Sequence, residues 1–280
     1  EESPPLAVLP CTRPHQLLIL SARNAQALHQ STKRLADHLK NHDLPLADVA
    51  WTLQSGRRAF AHRCFAVCSG RDDAVRIFTD ETKHHTSTGE IKNSSIAFMF
   101  PGQGAQHAEM AAGLYYSEPV FRHEVTQLCA LAAPLMGFDL RLVLFPTGDP
   151  TAAHERLRQT AVAQPALFTV ELALAKWWRH MGVTPQACIG HSVGEYVAAT
   201  LAGIMSEVDA LRLVITRGQL IQELPAGTML SIRLSESELI PWLKPSCSIA
   251  SINAPQRCVA AGPTSDMAEL EQRLTASGII

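Results

Sequence analysis

The 280-residue chain has no surplus of positive charge, no long apolar run and no paired-cysteine signature. Its 24 Lys+Arg face 26 Asp+Glu, a formal net charge of −2. No cation is left over to neutralise a run of phosphates, so nucleic-acid binding is not expected. The Ala-rich stretch from Ala161 is broken by Gln164, Glu171 and Lys176. It falls short of the roughly 20 apolar residues of a bilayer crossing, and no membrane partner is expected. Seven cysteines form no Cys-x-x-Cys pair. They read as reduced structural thiols rather than metal ligands or disulfides, and no metal site is predicted. The opening Glu1-Glu2-Ser3-Pro4-Pro5 carries acids where a secretory signal would carry basic residues, so a cytoplasmic location is the expectation.

What is present is a globular balance, 46% hydrophobic and 18% charged residues. At about 150 residues per domain, the length predicts roughly two units. Leu17-Leu18-Ile19-Leu20 predicts a buried strand, after which Asn24 caps a helix through Ala27, Leu28, Leu35 and Leu39. A helix over Leu46–Leu53, a strand around Cys64–Cys68 and a helix after Arg71 complete a small α/β unit. The polar stretch Glu81–Ser95 has neither period and reads as a linker, with a boundary near residue 92. Beyond it, Ile96–Phe100 predicts a strand, Pro165 is expected to open a helix reaching His180, and Ala187-Cys188-Ile189 predicts another strand. From residue 225, strands at 229–234, 248–253 and 258–261 and helices at 235–243 and 265–274 suggest a smaller subdomain.

Gly190-His191-Ser192-Val193-Gly194 stands between a predicted strand and a predicted helix. A strand-to-helix turn of this kind is strained, and glycine on either side leaves room for it. Ser192 Oγ would stand exposed as a nucleophile, with Val193 N–H at the helix start as one donor to the oxyanion. Gly102-Gln103-Gly104 also follows a strand, but His107 occupies the third-glycine place of a dinucleotide loop and no Gly-Lys-Ser/Thr exists. The loop is either a plain turn or a second oxyanion donor through Gln103 N–H, a contact typically worth about 3 kcal/mol in the transition state. Arg217 falls in a stripe with Ala210, Val214, Ile221 and Leu224 on a helix that Ser206 can cap. A guanidinium there needs a partner, and spacing alone favours an ion pair with a protein acid, or a snorkelling side chain, over a substrate carboxylate. Such a serine wants an imidazole, yet none of the twelve histidines follows Ser192. His191 is its chain neighbour; consecutive side chains point apart, so it is expected to meet substrate rather than take the Ser192 proton.

Phe100-Pro101-Gly102-Gln103-Gly104-Ala105-Gln106, Ala163-Gln164-Pro165-Ala166-Leu167 and Gly190-His191-Ser192-Val193-Gly194-Glu195 together resemble the acyltransferase domain of modular type I polyketide synthases. Arg217, 25 residues after Ser192, stands where that family and the similar malonyl-CoA:acyl-carrier-protein transacylases place the arginine that holds the extender carboxylate. That resemblance overrides the ion pair suggested by spacing. Leu17–Arg23, Asp48–Leu53 and Gly56-Arg57 resemble the linker that joins ketosynthase to acyltransferase.

The resemblance implies an α/β fold in three parts. These are a small α/β linker domain over 1–92, an α/β-hydrolase-like core with a parallel sheet over 93–224, and a ferredoxin-like subdomain over 225–280 that reads as incomplete. It implies Ser192 as the acylated nucleophile, Gln103 and Val193 as oxyanion amides, Arg217 as the carboxylate clamp, and His191, Gln164 and Asn253 in the substrate pocket. It implies no bound cofactor. The substrates would be malonyl-CoA and a phosphopantetheinyl acyl carrier protein, with the adjacent ketosynthase as a second partner. The family's catalytic histidine is expected ten to twenty residues past Ile280. Val193, where methylmalonyl-selective members usually carry Gln, leans the reading towards malonyl. Methylmalonyl selectivity, a serine esterase or lipase-like hydrolase, and a non-catalytic scaffold remain the alternatives.

Overall fold

The structure, a computed structural model, describes residues 13–89 and 95–279, which fall into two compact units, 1–96 and 97–280. The first unit runs β1 (Gln16–Ala22), α1 (Ala25–Asn41), α2 (Leu46–Ser55), β2 (His62–Cys68), α3 (Arg71–Thr79) and β3 (His85–Thr88). Asn24 caps α1 as expected, its side chain accepting from Ala27 N–H at 2.8 Å. The strands form an antiparallel sheet in the order β1-β2-β3. Along β2, Cys64, Ala66 and Cys68 are buried while Phe65 and Val67 are exposed, the alternation of a sheet with one covered face. The covered side packs Leu18, Leu39, Ile77 and Phe78 into one core. Burial pushes the Cys64 and Cys68 thiols up to about 11.

Strand β3 corrects the linker reading of Glu81–Ser95. His85-Thr86-Ser87-Thr88 is exposed throughout and carries no apolar signal. Its place rests on backbone pairing along β2 and on His85 stacked on Phe65 with ring centroids 4.9 Å apart, neither of which hydropathy reports. The expected boundary near residue 92 and the opening Glu1–Pro5 lie outside the described residues.

The second unit begins with β4 (Ala97–Phe100), α4 (Ala112–Ser117), α5 (Pro119–Met136), α6 (Arg141–Leu144) and α7 (Thr151–Arg158). It continues with α8 (Thr160–His180), β5 (Ala187–Gly190), α9 (Gly194–Leu201) and α10 (Glu207–Gln222). Strands β4 and β5 pair in parallel, with Phe100 opposite Gly190, so both chains leave the sheet at the same end. Helix α8 is the centre of the core: residues 162–173 are all buried, and α5, α7, α9 and α10 pack against it. Lys176, near its far end, bridges Glu124 of α5 and Glu207 of α10. Among the described residues, no helix is long and apolar enough to cross a membrane.

Pro165 does not open α8; the helix starts five residues earlier, at Thr160. In the second turn proline removes a single i→i−4 bond, the one Ala161 C=O would have accepted, and the burial of the surrounding turns carries the helix through it. Ser206 caps α10 as expected, accepting from Asp209 N–H at 3.1 Å. The unit closes with β6 (Gly227–Ile232), α11 (Glu236–Leu239), β7 (Ser248–Ala254), β8 (Arg257–Pro263) and α12 (Thr264–Ala276). These strands form an antiparallel sheet ordered β6-β8-β7 over a core of Ile232, Leu239, Ala260, Met267 and Leu274. The helix expected over 235–243 stops at Leu239 and tightens to a 3-10 turn at Ile240–Trp242, because Pro241 has no N–H to continue it.

Candidate active site

The elbow between β5 and α9 is built by contacts that only glycine permits. A Cβ on Gly190 would lie 2.1 Å from Glu195 N, and one on Gly194 would lie 2.3 Å from Phe100 O. Between them Ser192 adopts φ +53°, a left-handed conformation that costs a side-chain-bearing residue roughly 1–2 kcal/mol. The backbone around it fixes the twist. His191 N–H donates to Phe100 O at 2.9 Å, Gly194 N–H to His191 O at 3.0 Å, and Gly190 N–H to the Glu195 carboxylate at 3.1 Å. Ser192 is exposed, whereas Val193 behind it is fully buried.

The loop after β4 lies against this elbow. A Cβ on Gly102 would fall 2.6 Å from His191 Nδ1 and 3.1 Å from Ser192 Cβ, so glycine is what lets the two turns touch. Gln103 follows at once, and its side-chain amide donates to Thr160 Oγ1 at 3.1 Å. Among the described residues, neither Gln103 N–H nor Val193 N–H donates to any other group. Two unspent backbone donors beside an exposed hydroxyl are the ingredients of an oxyanion hole.

Arg217 on α10 is half-buried, and among the described residues no carboxylate lies within ion-pair distance of it. This corrects the protein-acid partner suggested by spacing. The guanidinium donates to Gln164 Oε1 at 2.5 Å and lies 5.9 Å from the centroid of the Tyr196 ring. Gln164, one turn into α8, is 1% exposed, and the pair ties α8 to α10. Thr160 N–H, accepted by Gln222 Oε1 at 2.7 Å, ties them again. A neutral amide and a ring satisfy part of a guanidinium's five donors and leave its charge uncompensated, so the group can accept an anionic ligand without breaking a salt bridge.

The structure brings Ser192, Val193, His191 and Gln103 together at the ends of β4 and β5, and pairs Gln164 with Arg217 beside Tyr196, one turn past the nucleophile. Asn253 lies exposed in β7 of the other sheet and makes no hydrogen bond to these residues. Three contributors escaped the sequence reading: Thr160, Gln222 and Tyr196. Tyr196 was findable as the residue one helical turn from Ser192; the other two are joined through contacts 57 and 62 residues apart in sequence. Glu171, in sequence an interruption of an apolar run, is buried. Both its oxygens lack a partner among the described residues, and burial raises its carboxyl to about 8.

The family described as "Acyl transferase domain" matches residues 97–280, and that described as "CurL-like, PKS C-terminal" matches 16–78. The chain belongs to the acyltransferase domains of modular type I polyketide synthases. This acyltransferase is 39% identical, in a 279-residue alignment covering 94% of the chain, to a phenolphthiocerol/phthiocerol polyketide synthase of Mycobacterium tuberculosis. It is 34% identical, again over 94% of the chain, to erythronolide synthase EryA2 of Saccharopolyspora erythraea. The matched parts are 18% and 8% of those two proteins, so the chain spans less than a fifth of either. Among solved structures, the acyl transferase domain of ZmaA superposes with a TM-score of 0.89 at 35% identity, over 96% of this chain and 64% of that one. The acyl transferase domain of SpnD, solved with 2-(pent-4-yn-1-yl)malonyl, superposes with a TM-score of 0.82 at 34% identity, over 95% and 63%. The α/β class expected from the sequence is the class of these relatives.

Proposed function

We propose that this acyltransferase takes a malonyl group from coenzyme A onto Ser192 and passes it to the phosphopantetheine thiol of an acyl carrier domain in polyketide assembly. Ser192 Oγ attacks the thioester carbonyl, and the oxyanion is held by the N–H groups of Gln103 and Val193. The C–S bond breaks, and coenzyme A leaves as the thiol, carrying the proton that Oγ gave up through a general base. The carrier thiol then attacks the Ser192 ester, returning the hydroxyl and completing two balanced half-reactions. The base expected from the family resemblance is a histidine past Ile280. Arg217 holds the distal carboxylate in both steps, while His191, Gln164 and Asn253 are assigned to the pocket.

The observation that carries the reading is the half-buried guanidinium of Arg217, with no carboxylate in ion-pair distance among the described residues and next to the ring one turn from an exposed, strained serine. The preference for malonyl rests on Val193, 0% exposed: a glutamine there would need partners for its amide, so the two residue types require different surroundings.

The full natural polypeptide is the material for the test. Incubated with malonyl-CoA, the wild type gains a malonyl adduct by intact mass and Ser192→Ala does not. Arg217→Ala loses about 10–100-fold in malonyl transfer, the worth of a hydrogen bond to a charged group, while acetyl transfer holds. A wild type that never acylates, or equal losses on both substrates, overturns the reading. Rapid hydrolysis of neutral esters indifferent to Arg217 would mark a hydrolase instead, and faster loading of methylmalonyl than malonyl would reverse the selectivity.

A further inference from the structure

The first unit carries a feature that acyl transfer at Ser192 does not use. A cavity of about 960 Å³ lies between β1, β2, α1, α2 and the turn after α2, lined by residues from both faces of the sheet. Its floor is apolar: Ile19, Phe65, Leu35, Leu53 and Phe60. Its walls are cationic, with Arg34 from α1, Arg57 and Arg58 from the turn, and Arg63 from β2. No lining residue is acidic; Asp48 lines an adjoining hollow.

These arginines are not consumed by the fold. The ion pairs of this unit engage Arg71, Arg76, Lys83 and His29, and among the described residues none reaches Arg34, Arg57, Arg58 or Arg63. Arg63 is anchored by donating to Phe60 O at 3.3 Å and Gly89 O at 3.1 Å. Arg58 and Arg23 share the Phe60 ring, at 5.8 and 5.7 Å from its centroid. The turn that presents them is fastened to β1, since Ser21 Oγ donates to Arg58 O and accepts from Phe60 N–H, both at 3.1 Å. From residue 16 to 66 the chain holds seven Lys/Arg against three Asp, inside a protein whose net charge is −2.

We infer that this groove is a docking surface for an acidic amphipathic segment of a partner protein, carboxylates on the arginine walls and apolar side chains on the floor. Guanidinium forks match carboxylates two bonds at a time, and an apolar floor adds area that a small anion would not use. A phosphate-bearing small molecule is the weaker occupant. The lining holds no lysine, and an apolar floor of five side chains gives a small anion nothing to bind.

The probe is a fluorescein-labelled amphipathic peptide of Glu and Leu, titrated by anisotropy into the full chain beside its Lys and Leu counterpart. The Glu peptide binds and weakens as salt rises, and the Lys peptide does not bind. Replacing three walls together, Arg34→Gln, Arg57→Gln and Arg58→Gln, lowers the affinity about tenfold or more, while Lys33→Gln with Lys40→Gln elsewhere on α1 changes it little. These three side chains make no hydrogen bond in the described structure, and an unchanged thermal melt checks the fold. On the wild type, hydrogen exchange protected at 56–65 by the Glu peptide gives a second reading independent of any variant. The inference fails if the triple variant binds as the wild type does, if the Glu peptide does not bind, or if coenzyme A or inorganic pyrophosphate displaces it and gives the stronger protection.

Discussion

Replacing Glu171 by Met should free the acyltransferase unit from much of its pH dependence. The carboxyl sits in the middle of α8, 8% exposed, amid buried residues on both sides and without a hydrogen-bond partner among the described residues. Desolvation raises it from 4.5 to about 8. The folded chain therefore keeps this proton up to about pH 8, whereas the unfolded chain releases it near 4.5. Below 4.5 both states hold the proton and nothing is lost. Between the two values stability falls by about 1.4 kcal/mol per pH unit, and above 8 the loss is complete. From pH 5 to pH 7 the wild type should thus lose about 2.5 kcal/mol that the Met variant keeps. Methionine is the suitable replacement, since its unbranched thioether fills a glutamate-sized space with no polar group to bury. Urea unfolding at the two pH values, followed through Trp177 and Trp178 on the same helix, measures the difference; common pH effects cancel between variant and wild type. At roughly 1–3 kcal/mol per molar urea, the gap in midpoint should widen by about 1 M or more. Parallel pH profiles for the two proteins would refute the reasoning, and would mean that the carboxyl finds a partner or water when folded.

Two further outcomes concern the backbone. Gly102→Ala should cost about 100-fold in the rate of Ser192 acylation and about 1–3 kcal/mol of stability, because the new methyl would meet the His191 backbone O at 2.9 Å and displace the oxyanion loop; an unchanged rate would separate that loop from the chemistry. Glu109 and Ala111 hold left-handed conformations at φ 64° and 61°, so Glu109→Gly and Ala111→Gly should each stabilise by about 0.5–1 kcal/mol in denaturant titrations. Destabilisation instead would mean that these side chains make contacts that outweigh the strain.

The parts legible in the sequence were those whose cause is local. Asn24 and Ser206 stand one residue before their helices and cap them because the capping bond spans three residues. The serine elbow was readable for the same reason: a strand, a glycine on each side of the turn and a helix are consecutive in the chain. What escaped depends on distant partners. Strand β3 has no apolar face and exists through its neighbour. Pro165 marks the second turn of α8 because packing by four other helices outweighs one missing bond. The partner of Arg217 is a neutral amide 53 residues away, where charge arithmetic points to an acid. Glu171 interrupts an apolar run between Val170 and Leu172, and only packing reveals that it is a titratable group with nowhere to discharge.

The backbone twist at Ser192 reaches past the moment of reaction. An alanine placed there would bear the same torsion as the serine, and only glycine would relax it, yet glycine has nothing with which to attack a thioester. Durability and reactivity are therefore opposed at one residue. A substitution that made the protein sturdier at this turn would remove the atom that reacts.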